Sequence, residues 1–512
     1  MNRREFLACS GAVAASALAP GAGGARAAAA DDSAPPLRVD PSPRHGLSPW
    51  LYTHFMEPLG VTDSSIEASW DHTKDCWRPD LVELTKELAP GMMRWGGLFS
   101  AYYRWREGVG PRAGRKPMLN LHWGGVETNQ IGTAEFVDFC RQVNTEPLMC
   151  VNFEAEGYKP WAVNAKGDVR AGDAREAAEW VAYCNNPENA ERVGHGHREP
   201  LTIKVWQIGN ETSYNNERFD KATAIAKTIE FATAMRKADP SIKLIGWGDS
   251  GWAPDMIQRA GEHLDYVAFH SLFDPARPDP KSPLKNNEFR TDPAATWDAL
   301  MNGYKIHERK LLEIRQQVEP FKKPLALTEC HYAPQGRNRC EVLSTWAAGV
   351  SYARFLNLHE RHGDLLKIAN LADFCGTRWQ TNAVMLPVPV GKAFAMPVAK
   401  VMALYRKHAG ESFVTVTDTP PDLDVTASRT GDTVYLHVIN TNRTQARPAA
   451  LAVSGLPIRS GKAFTIAADP MFEIIAAERD PMRVRESDIN VTGPVSFPAA
   501  SVTAVELRVD VA

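Results

Sequence analysis

The 512-residue sequence carries little excess charge and no long apolar run beyond its first 30 residues. The formal net charge is −3 and the pI is near 6.6, whereas a protein that binds the phosphate backbone is usually basic. This balance argues against nucleic acid as a partner. A membrane span needs roughly 18 consecutive apolar residues, and no run after residue 30 approaches that length, so we expect no membrane span in the mature chain.

Signatures of cofactor and metal binding are also lacking. The sequence contains neither a Cys-x-x-Cys pair nor a Gly-x-Gly-x-x-Gly fingerprint, which argues against a redox enzyme. Cys9 lies in the N-terminal segment and leaves an odd number of cysteines, so no disulfide framework is implied. His195 and His197 have no accompanying thiolate or carboxylate set and are interpreted as part of a polar loop. We expect no cofactor and no metal.

The N-terminus has the features of an export signal. Arg3 and Arg4 precede Phe6-Leu7 and an Ala/Gly-rich apolar run that ends in Ala25-Arg26-Ala27, a pattern typical of twin-arginine export. We therefore expect residues 1–30 to be a removed signal peptide, with cleavage after Ala27 or Ala30. The mature protein is expected in the periplasm or outside the cell.

Between about residues 48 and 405, short apolar strands alternate with longer helical segments, which predicts βαβ units and a parallel sheet. Eight alternations favour a closed (β/α)8 barrel, in which functional residues lie where the strands end. The predicted strands are Leu51 to Glu57, Met92 to Trp95, Pro147 to Asn152, Val205 to Glu211, Lys243 to Trp247, Tyr266 to His270, Leu325 to Glu329 and Lys367 to Ala372.

The composition changes near residue 405, because all fourteen tryptophans precede it and the rest of the chain consists of short runs rich in Val and Thr. These runs alternate in polarity and predict a C-terminal β-sandwich over residues 406–512, with a hairpin turn at Gly431-Asp432. We expect residues 31–47 to add an N-terminal strand to it.

Two glutamates at predicted strand ends suggest the chemistry. Hydrolysis of a glycosidic bond needs one carboxylic acid to protonate the leaving oxygen and one carboxylate to attack or to activate water. Glu211 follows Asn210 at the end of the fourth predicted strand, and Glu329 ends the seventh. An isolated Asn-Glu pair is equally typical of a turn or a helix cap, but its combination with a glutamate on strand seven predicts catalysis by Glu211 and Glu329.

Several stretches resemble the clan A glycoside hydrolases, and within that clan the family 51 α-L-arabinofuranosidases. The resemblance rests on Met92 to Phe99, Trp105 to Pro111, Glu127 to Thr133, Tyr183 to Asn185 and Ile208 to Glu211, in that order and spacing. It covers roughly residues 50 to 410. It implies a retaining, double-displacement mechanism on a barrel, with Glu211 as general acid/base and Glu329 as nucleophile.

The resemblance also implies roles for other residues at strand ends. Glu57 matches a glutamate that binds the terminal sugar, Arg94 an arginine near the nucleophile, and His270 a histidine of strand six, while Asn210 pairs with the acid/base. For Glu57, Arg94 and His270 the alternative is a buried structural hydrogen bonder. The remaining predicted substrate contacts near strand ends are Trp95, Asn152, Tyr332 and Asp373.

Some positions depart from the family pattern. Leu98 replaces an asparagine, Leu272 an aromatic residue with a hydroxyl group and Asp373 a glutamine, and Cys330-His331-Tyr332 differs from the usual residues after the nucleophile. Each lost polar contact is worth about 1 to 3 kcal/mol, enough together to redirect sugar specificity.

The departures leave alternatives open. One is a glycosidase of the same clan acting on a galactofuranoside, xyloside or fucoside, and another is endo-action on a furanose polymer. A third, from a different class, is a carbohydrate-binding barrel without catalysis, against which both retained glutamates argue. The expected partner is an oligo- or polysaccharide, and the sequence leaves assembly into a homo-oligomer open.

Overall fold

A computed structural model describes residues 34–59, 66–273, 282–334 and 340–510. The predicted signal peptide of residues 1–30 lies outside these ranges. In the described residues no helix is both long and apolar enough to cross a membrane. All seven described cysteines are free thiols, and six of them are buried.

Eight parallel strands form a closed barrel, because the strand at 325–332 pairs with both of its neighbours, at 266–273 and 366–376. Polar residues lie near or just beyond the C-terminal ends of most of these strands, and that end forms the mouth of the barrel. The predicted (β/α)8 barrel is confirmed. The strands are Thr53–Met56, Met92–Trp95, Glu146–Val151, Val205–Ile208, Lys243–Trp247, Tyr266–Phe273, Leu325–Tyr332 and Leu366–Gly376.

Inside the barrel, apolar side chains from alternate positions form a closed core of Met92, Leu148, Val205, Ile245, Trp247, Ala268, Ala326 and Ile368. This packing fills the lower part of the barrel. A functional site therefore has space only at the mouth, where the strands end.

Helices cover the outside of the barrel. Several begin at an Asp, Asn or Thr whose side chain accepts a hydrogen bond from the first turn, as Asp220 does from the Thr223 amide. The predicted stripe of Phe136, Val137, Phe139 and Cys140 is buried. The helices are Pro79–Leu88, Thr133–Gln142, Lys159–Ala162, Ala174–Asn185, Ala190–Gly194, Lys221–Ala238, Ala253–Ala260, Pro293–Val318, Trp346–Arg361 and Pro397–Lys407.

The described residues before and after the barrel form the accessory β-sandwich, whose strands make one nine-stranded hydrogen-bonded array. Its turn at Gly431 has a φ of 58°, which glycine adopts without strain. The strand at 36–46 pairs with the strands at 412–418 and 447–453. The strands are Pro36–Gly46, Ser412–Asp418, Leu423–Thr430, Thr433–Asn440, Arg447–Val453, Ile458–Ala467, Arg485–Asp488, Val495–Phe497 and Ser501–Val509.

Candidate active site

A cavity of about 320 Å³ opens at the mouth of the barrel. Four carboxylates line it: Glu57, Glu211, Glu329 and Asp373. All four side chains are largely buried. The rest of the lining is mostly apolar, and it includes Phe55, Leu59, Leu98, Leu272, Pro334 and Cys340.

Glu211 follows the fourth barrel strand in a tight turn. Its φ is 55°, in the left-handed region that non-glycine residues seldom adopt. This turn directs the carboxyl group into the mouth, where Oε1 lies 3.0 Å from His270 Nδ1. The guanidinium of Arg218 donates to the backbone carbonyl of Glu211, so the turn is held at both its backbone and its side chain.

Glu329 lies within the seventh barrel strand, and its carboxylate is fixed by a buried arginine. Arg94 Nη1 donates to Glu329 Oε1 over 2.9 Å, and the Arg94 side chain is fully buried. Other donors of the same guanidinium reach Gln207 Oε1 at 2.8 Å and Asn210 Oδ1 at 2.6 Å. A shift in strand register beside His270 sets that residue opposite Glu329, as bulges next to functional sites often do.

The two glutamates are close together. One carboxylate oxygen of Glu211, one of Glu329 and a ring nitrogen of His270 all lie within 4.8 Å of one another. His270 Nδ1 is 3.6 Å from Glu329 Oε2, and His270 Nε2 is 3.0 Å from Thr328 Oγ1. Retaining glycosidases place their carboxyl groups about 5 to 5.5 Å apart and inverting enzymes about 6.5 to 9.5 Å, so this spacing fits double displacement.

Burial sets the protonation of the site. It raises the pKa of Glu211, against the influence of Arg218 and Arg94. Burial also raises the pKa of Glu329, while His270 and Arg94 act in the opposite direction. Burial lowers the pKa of His270 to about 4, so the ring is neutral at pH 7. Because Glu329 alone of the two has a direct ion pair with an arginine among the described residues, Glu329 is the carboxylate better stabilised as an anion.

Glu57 and Asp373 form the far side of the pocket. Glu57 Oε1 accepts from the Phe99 amide at 3.0 Å and from Trp123 Nε1 at 3.1 Å. Burial and the charge of Glu329 raise the pKa of Glu57 well above the usual value. A Cβ at residue 97 would lie 2.2 Å from Glu57 Cδ, so Gly97 is needed there. Asp373 Oδ1 accepts from the Glu57 amide at 3.4 Å.

Asn210 presents an unused donor to this region. Its Oδ1 is engaged by Arg94, whereas Nδ2 is buried and has no hydrogen-bond partner among the described residues. A buried amide without a partner costs about 1 to 3 kcal/mol. A ligand hydroxyl group that accepts from Nδ2 would remove this cost.

Three of the residues predicted as substrate contacts are not brought to the pocket. Trp95 is 1% exposed and packs against Phe99, Tyr103 and Phe136 on the outer side of the barrel. It follows the inward-facing Arg94, and neighbouring residues on a strand face opposite sides. The prediction that Trp95 stacks on a sugar is therefore wrong.

The predictions that Tyr332 and Asn152 contact substrate are also wrong. Tyr332 is fully buried behind the strand, where its hydroxyl group donates to the Leu300 carbonyl at 3.1 Å. Asn152 uses Nδ2 to donate to the Tyr103 and Arg170 carbonyls, at 3.1 and 2.7 Å. Asn152 thus organises loops beneath the mouth, and neither side chain lines the pocket.

Further residues line the site, and among them His331 and Thr381 were not predicted to bind substrate. His331, Trp123, Trp379 and Thr381 all face the cavity. For His331 the signal was present in the sequence, because residues 329 and 331 of one strand share a face. Thr381 and Trp379 come from a loop after the last barrel strand, where no periodicity indicates orientation.

Two groups of side chains in the described residues have the spacing of metal ligands: Glu211 with His270 and Glu329, and His307 with Cys330 and His359. The first is the candidate site itself. In the second, His307 Nε2 and His359 Nε2 are 2.8 Å apart, and His307 Nδ1 is 2.8 Å from Ser271 Oγ. These contacts form a hydrogen-bonded chain between neutral groups behind the barrel wall.

Known proteins resemble this chain in both sequence and fold. Residues 84–280 match the family model described as the α-L-arabinofuranosidase 1 domain. An intracellular exo-α-(1→5)-L-arabinofuranosidase of Acetivibrio thermocellus is 32% identical over 243 residues, which are 44% of this chain and 45% of that protein. A probable α-L-arabinofuranosidase C of Aspergillus flavus is 25% identical over 93% of this chain and 98% of its own length.

Solved structures agree. The α-L-arabinofuranosidase of Thermotoga maritima, solved with arabinose, has a TM-score of 0.73 at 23% identity and covers 93% of this chain and all of its own. A family 51 α-L-arabinofuranosidase of Bifidobacterium longum has a TM-score of 0.76 at 21% identity, with the same coverage. The resemblance is therefore confirmed, although the chain spans just under half the length of the Acetivibrio relative in that match.

Proposed function

We propose that this chain, which resembles the family 51 α-L-arabinofuranosidases, is a retaining glycoside hydrolase that releases terminal sugars. The observation that carries the proposal is the pair of buried glutamates at the barrel mouth, within 4.8 Å of each other and joined by His270. One of the pair, Glu329, has a buried arginine partner, and the other, Glu211, has none within the part of the chain that the structure describes. This asymmetry assigns them different roles.

In the first step, Glu329 attacks the anomeric carbon of the terminal sugar. The bond from that carbon to the glycosidic oxygen breaks, and its electron pair goes to the oxygen, which takes the proton of Glu211. A glycosyl ester on Glu329 results. Arg94 stabilises the anionic form of Glu329 that attacks, whereas burial raises the pKa of Glu211 and so favours its protonated form.

In the second step, Glu211 acts as the base. It takes a proton from water while the water oxygen attacks the anomeric carbon and displaces Glu329, so two inversions give net retention. Neutral His270 lies 3.0 Å from Glu211 and 3.6 Å from Glu329. It holds both carboxyl groups in register without adding a charge that would depress the pKa of Glu211.

The sugar we propose is a terminal α-L-arabinofuranoside. The names of the relatives support it, as do the free donor Asn210 Nδ2 and the carboxyl groups of Glu57 and Asp373, which can bind sugar hydroxyl groups. Leu98 and Leu272 line the same cavity and offer no hydrogen bond. This apolar wall favours the second candidate, a glycosidase of the same clan that accepts another terminal sugar, such as a galactofuranoside, xyloside or fucoside.

A panel of nitrophenyl glycosides tests both candidates. We expect the highest kcat/KM with α-L-arabinofuranoside, and proton NMR early in the reaction should show a product of retained configuration. A product of inverted configuration would contradict double displacement. Absence of turnover on the whole panel, together with binding of oligosaccharides, would instead favour a carbohydrate-binding barrel.

We further propose export by the twin-arginine route to the periplasm or beyond. The paired residues Arg3 and Arg4 and the apolar run after them support this proposal. Replacing both arginines with lysine should retain the full-length precursor inside the cell, as detected by immunoblotting of cell fractions. Unchanged export would contradict it.

A further inference from the structure

A strained loop lies beneath the acid/base residue. It follows the third barrel strand, and three successive residues, Glu154, Ala155 and Glu156, have φ values of 49°, 53° and 56°. Left-handed backbone costs non-glycine residues of order 1 to 3 kcal/mol each and persists only where surrounding contacts hold it. Three in succession indicate that the position of this loop is strongly determined.

The side chain of Glu156 connects this loop to the turn that carries Glu211. This side chain is completely buried. Oε1 accepts from the backbone amide of Asn210 at 2.9 Å, and Oε2 accepts from the hydroxyl group of Thr212. These two partners are the residues immediately before and after Glu211, so one carboxylate holds the turn on both sides of the acid/base residue.

The backbone of Glu156 adds a third contact, because its carbonyl accepts from the Phe219 amide at 2.9 Å. The segment from 210 to 219 is thus tied to this loop at its start and its end. Burial raises the pKa of Glu156 to about 7. A buried carboxyl group of this kind is retained at an energetic cost, and none of the steps described above uses it.

We infer that Glu156 is a positioning residue for Glu211: it holds the Asn210-Glu211-Thr212 turn so that the acid/base carboxyl group reaches the glycosidic oxygen. The inference rests on the proposed function. Glu211 has the left-handed φ of 55°, so its turn relaxes if the two bonds from Glu156 are lost. A misplacement of about 1 Å in a catalytic group can lower the rate about a hundredfold.

The loss should be selective for one half of the chemistry. Glu329 is held by Arg94 on a different strand, so its attack on the anomeric carbon does not depend on Glu156. In the first step, which kcat/KM reports, a displaced Glu211 fails only where the leaving oxygen needs a proton. Leaving groups that depart as stable anions, such as dinitrophenolate, should form the glycosyl ester nearly as before, although its later hydrolysis still needs Glu211 as base.

The matched variants are Glu156→Ala and Glu154→Ala. Glu154 lies in the same left-handed run, but its carboxylate points away and pairs with Lys227 Nζ at 2.8 Å. For a disaccharide substrate we expect Glu156→Ala to lower kcat by about tenfold to a hundredfold with little change in KM, and Glu154→Ala to remain near the parent value. With a dinitrophenyl glycoside, the kcat/KM of both variants should resemble that of the parent. Glu156→Gln, which can still accept from Asn210, should fall between.

Thr212→Val provides a second variant if Glu156→Ala does not fold, because it removes one of the two contacts without emptying the space beneath the turn. It should show the same dependence on the leaving group, in weaker form. Equal losses of Glu156→Ala on both substrates, in a protein whose circular dichroism matches the parent, would overturn the inference, as would no loss on either. Glu211→Ala, assayed beside them, separates the two ideas: if that variant also lacks dependence on the leaving group, the proposed function fails first.

Discussion

Two of the regions in which this protein buries carboxylates differ in how they affect the pKa of these groups. The pocket at the barrel mouth gathers Glu57, Glu211, Glu329 and Asp373. The interface network, defined here as Tyr52, Asn357, Glu360, Thr426 and His437, joins the helix at 346–361 to the β-sandwich. The pKa is raised for three of the glutamates in the pocket and lowered for Glu360 in the network.

Burial is similar in the two regions, so the partners make the difference. Glu360 lies 2.8 Å from His437 Nδ1 and accepts from the Thr426 and Tyr52 hydroxyl groups at 2.6 and 2.7 Å. The pocket instead places several acids around one cavity with fewer donors. A carboxylate with many hydrogen-bond donors, such as Glu360, is stabilised as an anion and serves as a structural anchor. A group of acids with few donors is more easily protonated and keeps protons available for transfer.

The largest effect on activity is expected from removing Glu329, the carboxylate that the pocket stabilises as an anion. Glu329→Ala should abolish turnover for every leaving group, because no group remains to form the covalent intermediate. Steady-state rates on nitrophenyl and dinitrophenyl glycosides measure this. Substantial activity in this variant would mean that the pocket does not work by double displacement on Glu329.

Removing the proton donor should cost less and depend on the substrate. General acid catalysis contributes about 10² to 10⁴ in rate, so Glu211→Ala should lose that much in kcat/KM on disaccharides and far less in kcat/KM on dinitrophenyl glycosides. Added azide should raise its turnover and give a glycosyl azide of retained configuration, identified by NMR. A uniform loss on all substrates, with no effect of azide, would argue against the acid/base role.

Replacing Glu360 in the interface network, instead of a residue of the pocket, should affect stability and leave the reaction rate of the folded protein intact. Removing one partner from a buried ion pair costs about 3 to 5 kcal/mol, so Glu360→Gln should lower the free energy of unfolding by that order while kcat of the folded protein stays near the parent value. Urea titration measures the change. The exposed Glu313 of the helix at 293–318 offers a control, since Glu313→Gln should leave stability unchanged.

The pH dependence of that loss follows from the lowered pKa of Glu360. A carboxyl group with a depressed pKa stabilises the fold above its ordinary value of 4.5 and loses this contribution as the pH falls through the folded-state pKa. The gap in stability between parent and Glu360→Gln should therefore shrink below about pH 4.5. A gap that is constant with pH would indicate a packing effect alone.

Arg94 stabilises Glu329 as an anion, as the partners of Glu360 stabilise that residue. Removing Arg94 therefore tests whether partners control the protonation of the pocket. Without its guanidinium, Glu329 stays protonated to higher pH, so Arg94→Gln should shift the acid limb of kcat/KM upward and lower kcat. Arg104→Gln removes another arginine–glutamate contact of 2.9 Å, to Glu176, and should leave the acid limb in place. An unshifted limb in Arg94→Gln would contradict the ion-pair account of Glu329.

The smallest expected effect concerns the apolar wall. Leu98→Asn and Leu272→Tyr each add a polar group beside the cavity, and one hydrogen bond contributes about 0.5 to 1.5 kcal/mol, which corresponds to about 2- to 13-fold in discrimination. The ratios of kcat/KM between arabinofuranoside and other terminal sugars should therefore change, with Glu211 and Glu329 unaffected. Unchanged ratios in both variants would remove these leucines from the account of specificity.

Much of this pocket was predictable because parallel strands bring their ends together. Glu57, Arg94, Asn210, His270 and Glu329 were each found as polar residues at the end of an apolar run, and the structure brings all of them to the mouth of the barrel. Trp95 and Tyr332 failed because adjacent residues on a strand face opposite sides, and that rule favours His331 over Tyr332.

What the sequence did not indicate lies in loops and between domains. Glu156 follows its strand by five residues, in left-handed backbone that no local pattern predicts. The network around Glu360 joins residues more than 60 positions apart, and each of them alone is an ordinary polar residue. Long-range pairing of this kind depends on how the barrel and the sandwich meet.

The most direct test of the central claim is to identify the residue that carries the sugar. Glu211→Ala, incubated with a dinitrophenyl α-L-arabinofuranoside, should accumulate a glycosyl ester because its hydrolysis lacks a base. Mass spectrometry of proteolytic peptides should find one added glycosyl residue on Glu329. An adduct on Glu57 or Asp373, or rapid turnover of the substrate with no adduct and an inverted product, would contradict the account.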